Sequence, residues 1–95
     1  MISITRHKGF HMKFKNGWTA SVQFGPGNYS DFHHDDHDWK APEKAEFWET
    51  GTAEVACWHH DGTLVDINNG DTVRGYLPAD EVLAFLNETA AREAK

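Results

Sequence analysis

A chain of 95 residues with a formal charge of −6 and an aromatic share of 13% makes one domain with a single modest core. The acidic balance speaks against a general nucleic-acid binder, whose affinity comes from lysine and arginine on phosphates. No run approaches the roughly 18 apolar residues of a membrane span, and the single Cys57 rules out an intramolecular disulfide, so a protein of a reducing cytoplasm is expected.

The opening residues, Met1 to Lys8, carry no apolar stretch behind them and give no export signal. The first strong element is a hairpin across Lys15-Asn16-Gly17. A three-residue loop with Gly17 at positive φ sets Phe14 opposite Trp18, Met12 opposite Ala20 and Phe10 opposite Val22 on one face. A two-residue loop would slip the register by one and send the apolar set to the wrong side. The other face then carries His11, Lys13, Thr19, Ser21 and Gln23, which reads as a wet surface. Gly25-Pro26-Gly27 breaks the strand, and a long polar loop follows over about 25–50, too irregular for either secondary-structure period.

Order returns with a strand from about Thr52 to His59. The turn His60-Asp61-Gly62 leads to a second strand over Thr63–Ile67, and Asn68-Asn69-Gly70 to a third over Thr72–Leu77. This meander sets Cys57 against Val65 and Val55 against Ile67, with Trp58 and Leu64 together on the opposite side. Pro78 at the first helical position, Asp80 and Glu81 in the first turn, and Val82, Phe85, Leu86 and Ala90 on one stripe predict a C-terminal helix of three to four turns. The whole predicts a single α+β domain over residues 1–95: an antiparallel sheet of about five strands, hairpin plus meander, packed with one helix.

The stretch from Gly9 to Tyr29 resembles the opening of small uncharacterised tailed-bacteriophage proteins, with the pattern Gly-Phe-x-Met-x-Phe-x-Asn-Gly-Trp-Thr-x-Ser-Val-Gln-Phe-Gly-x-Gly-Asn-Tyr. Thr52 to Ala56 and Gly75 to Val82 are similar to later strands and the helix start of the same group. The resemblance covers about two thirds of the chain. It implies a phage protein acting in a bacterial cytoplasm and carries no mechanism.

Three groups of residues are candidates for chemistry. In His33-His34-Asp35-Asp36-His37-Asp38, one helical turn would put His33 and His37 on one face for Zn²⁺, with Asp35 or Asp38 as ligand or base and His59 or His60 as a third ligand from a hairpin end. The alternative is a solvated loop that binds divalent ions without selectivity. Gly25, Gly27, Asn28 and Tyr29 could present N–H groups and a stacking ring to a nucleotide-like ligand, though no Lys-Ser/Thr follows the glycines and no helix opens there. Tyr29, Trp39, Phe47, Trp48 and Trp58 are aromatic candidates for a partner surface, either a host protein or a second copy of the chain. Cys57 falls on the core side, where a thiol is inert, and His11 opposite Ser21 has no orienting carboxylate assigned beside it. The favoured expectation is a non-enzymatic binding module. A metal-dependent hydrolase or nuclease and a small-ligand sponge are the alternatives.

Overall fold

Phe14 and Trp18 face each other across the first hairpin. The Phe14 N–H donates to the Trp18 carbonyl at 2.8 Å, and the Gly17 N–H donates to the Phe14 carbonyl at 3.1 Å. Gly17 takes φ +90°, where a Cβ would clash, so glycine is what makes the three-residue loop possible. Along the strands the pairs are Met12 with Ala20, His11 with Ser21 and Phe10 with Val22, the register that the apolar pattern demands. The computed structural model describes residues 1–5, 9–24 and 50–93.

Five strands, β1 (Ile2–Ile4), β2 (Gly9–Lys13), β3 (Thr19–Gln23), β4 (Ala53–Trp58) and β5 (Arg74–Leu77), form one sheet in chain order. Every neighbouring pair is antiparallel. β1 has no counterpart in the sequence reading. It pairs Ile2 with Met12 and Ile4 with Phe10, and the terminal amine donates to the Lys13 carbonyl at 3.1 Å. Gly9 is required by close approach, because a Cβ there would lie 2.1 Å from the Val22 carbonyl oxygen.

The predicted meander is corrected at its middle strand. Leu64 bridges to Trp58 and the Val65 N–H donates to the Cys57 carbonyl at 3.2 Å, as the turn at Gly62 predicts. The expected pairing of Val55 with Ile67 does not occur, because Val55 pairs with Arg74 instead. Asp66 is the reason: its carboxylate accepts the Asn68 N–H at 3.1 Å and the Gly70 N–H at 2.8 and 2.9 Å. With Asn69 at φ +48° and Asn68 bridged to Asp71, residues 66–73 form their own turn, and the chain returns to the same edge of β4 as β5. A bulge between Ala53 and Val55 accompanies Tyr76 at φ +58°, a strained value for a bulky residue.

The helix α1 (Ala79–Ala90) has Pro78 as its N-cap, one residue outside the predicted first helical position. Its core stripe is Phe85 and Thr89, both buried, with Val82 and Leu86 half-buried against the core. Ala90, predicted on that stripe, is exposed, and Thr89 takes its place by returning its hydroxyl to the Phe85 carbonyl at 2.9 Å. The buried apolar set is Trp18, Ala20, Val22, Ala53, Val55, Cys57, Leu77 and Phe85. All of the strand members of this set lie on the side of the sheet that faces α1.

The opposite side is drier than the alternation suggests. Thr19 and Ser21 are 9% and 6% exposed, correcting the expected wet surface. β3 is flanked by strands on both sides, and the Trp58 ring, from the residue opposite Thr19, meets the edge of His11 at 4.9 Å and 87°. No helix among the described residues is long and apolar enough to cross a membrane.

Candidate functional site

Among the described residues α1 is the one helix, and one helix cannot cover a five-stranded sheet. Strands about 4.8 Å apart spread the sheet over roughly 20 Å, whereas a helix with its side chains is about 10–12 Å across. α1 packs on β3, β4 and β5, and among the described elements its backbone comes close to neither β1 nor β2. α1 therefore leaves the apolar residues of β1 and β2 without a covering element among the described residues. Ile2 and Ile4 are 66% and 78% exposed, on the same face as the core.

Where the covered half meets the uncovered half, a groove of about 330 Å³ opens. Phe10, Val22, Phe24, Ala53 and Leu77 line it from the sheet side, and Ala79, Val82, Leu83 and Leu86 from α1. Thr50, Gly51 and Thr52 complete the described lining. No charged side chain belongs to that set, and a cavity of this size with apolar walls suits an apolar occupant. Leu83 is 58% exposed on the rim. It lies beside Val82 rather than on the Phe85–Thr89 stripe, so it widens the apolar surface of α1 beyond what the core uses.

The other end of the molecule is closed by a polar clasp. The Asn16 amide donates to the carbonyls of Thr89, Ala90 and Arg92 at 2.9, 3.2 and 2.9 Å, and its oxygen accepts the Trp18 N–H at 3.0 Å. The Trp18 indole donates to the Glu93 carbonyl at 3.0 Å, and the Arg92 guanidinium stands 5.0 Å over the Trp18 ring. The free carbonyls at the end of α1 thus find donors on the hairpin turn. Beneath them, burial pushes the Cys57 thiol up from its ordinary pKa, against the lowering by the Arg92 charge and a hydrogen bond with Thr89. A protonated, enclosed thiol is no nucleophile.

His59 and His60 sit at this same end. His59 is buried at 7% exposure with Trp18 edge-on at 5.1 Å and 75°, while His60 is exposed. Their ring nitrogens approach to 3.1 Å. Asp61, in the turn, accepts the Thr63 N–H at 2.9 Å. That backbone bond, with the Thr63 hydroxyl and the neighbouring histidines assisting, holds its carboxyl below the usual carboxylate range.

Of the sequence candidates, Trp58, His59 and His60 fall within the described residues. Trp58 is half-buried and its ring engages His11, not the groove. The predicted partner residues Tyr29, Trp39, Phe47 and Trp48, the ligand residues Gly25, Gly27 and Asn28, and the metal candidates His33, Asp35, His37 and Asp38 lie outside the described residues. Among the described residues no group of three or more His, Cys, Asp or Glu side chains is placed to hold a metal ion. The groove itself escaped the sequence reading, though the surplus Leu83 was a usable signal for it. Comparison of the chain with protein-family models, with curated proteins and with solved structures found no match.

Proposed function

We propose that this is a non-enzymatic binding module, a small phage accessory protein of the bacterial cytoplasm that docks on or sequesters a host protein. The observation that carries the reading is the open apolar groove between α1 and the sheet, continued on the same face by Ile2 and Ile4 of β1. Exposed apolar surface of this kind marks an interaction site, and its shape suits an apolar side chain or a short amphipathic segment inserted beside Val82 and Leu86. The alternative metal-dependent hydrolase or nuclease draws on His33, His37 and Asp35 or Asp38, which lie outside the described residues, and on a third ligand from His59 and His60, which lie at the far end of β4. The six residues of that strand separate them from the groove by about 20 Å.

The test is capture from the lysate of infected bacteria, run with and without a chelator. A host protein that is retained in both arms and lost with Leu83→Glu supports the reading. Leu83 is on the rim and outside the buried set, so the charge should leave the fold intact. Capture that the chelator abolishes, or that Leu83→Glu leaves unchanged, overturns it. Light scattering on the purified chain separates a second copy from a host partner as the occupant.

A further inference from the structure

We infer that His59 and His60 form a two-imidazole site for a first-row divalent transition ion, with Cu²⁺ as its best occupant. This site is independent of the docking reading, and both of its protein ligands lie within the described residues.

His59 Nε2 and His60 Nδ1 stand 3.1 Å apart, and the rings lie with centroids 4.0 Å apart and planes at 60°. Two imidazole nitrogens bound to one ion at about 2.0–2.1 Å are about 2.9 Å apart at the corner of a square and about 3.3 Å apart on a tetrahedron. The observed separation falls between those limits. Without the ion, one N–H···N hydrogen bond occupies the gap. Binding moves that proton to the donor ring's other nitrogen, a change of tautomer with no net proton released, and both facing lone pairs turn to the metal.

A second observation concerns the opposite side of the His59 ring. Its Nδ1 lies 4.0 Å from Asp61 Oδ1, too far for a hydrogen bond, so the carboxylate favours a cation at this imidazole through its charge alone. Trp18 fixes His59 from the buried side. His60 faces solvent, which leaves the remaining coordination positions to water. Imidazole ligands suit copper, nickel and zinc, and at a site with no cage to impose geometry the ordinary affinity series places Cu²⁺ first.

The test is a Cu²⁺ titration of the full chain carrying His33→Ala, His34→Ala and His37→Ala, so that the histidine-rich segment contributes nothing. Calorimetry should give one ion per chain, with tryptophan fluorescence quenched in step because Trp18 adjoins His59. Adding His60→Ala should weaken binding by at least about tenfold. His60 is exposed, and circular dichroism establishes that this variant keeps its fold. Absence of stoichiometric binding, or affinity unchanged by His60→Ala in the folded chain, overturns the proposal.

Discussion

Cys57 shows how burial sets a side chain's chemistry. The thiol has no exposed surface and lies with Thr89 and Arg92 under the C-terminal end of α1, so its ionised form is penalised by lost hydration. Because the folded-state pKa lies above the unfolded value, the thiol's contribution to stability is whole below the unfolded pKa and is lost as pH rises through the folded one. Denaturant unfolding measured from about pH 7 to about pH 10 should show stability falling at the alkaline end, and Cys57→Ala should flatten that slope. A thiol reagent should react with the native protein only as fast as the protein opens. That Cys57 faces the core is legible from its place in the alternation; that an arginine overhangs it is not.

Gly9 and Gly17 show two ways in which a hairpin depends on missing side chains. Gly17 answers a torsional demand that the Asn-Gly pair announces in any sequence. Gly9 answers a packing demand, because β2 passes so close to β3 that a Cβ would meet the Val22 carbonyl oxygen and the Gln23 side chain. Gly9→Ala should therefore cost about 1–3 kcal/mol through forced displacement of the strand, read as a lowered denaturation midpoint with an unchanged denaturant slope. The missed strand β1 and the lost strand at 63–67 have a related cause. Ile2-Ser3-Ile4 is too short to carry a periodic signal, and it forms because β2 offers an open edge. Thr63–Ile67 has good alternation but loses its second half when Asp66 collects the N–H groups of Asn68 and Gly70, a local competition that side-chain hydrogen bonding wins over the ladder.

The molecule is held end to end by unequal means. At one end Asn16 joins the first hairpin to the last turn of α1 across more than 70 residues of chain, supplying the cap that no C-terminal glycine provides. Asn16→Ala should destabilise the fold by about 1–3 kcal/mol by leaving partly buried carbonyls unpaired. Asn16→Asp should do no better, since a carboxylate cannot donate to them. Thermal denaturation of both variants checks this. At the other end α1 leaves the β1–β2 half of the sheet without a covering element among the described residues, and the apolar groove on which the docking proposal rests lies there. The closed end holds the two histidines, so the proposed docking surface and the proposed metal site can be altered separately.

The alternation of Phe10, Met12 and Phe14 against Trp18, Ala20 and Val22, the glycine turns and the Val82–Phe85–Leu86 stripe were enough to specify an α+β fold with an antiparallel sheet and a C-terminal helix, because torsional preference and side-chain period are local properties of the chain. Among the described residues the groove follows from a relation that no local pattern contains: the width of five strands against the diameter of one helix. The reach of Asn16 to α1 and the bond from the Trp18 indole to the Glu93 carbonyl are of the same kind. They exist because sheet and helix meet at one end, and only the folded chain brings those atoms within bonding distance.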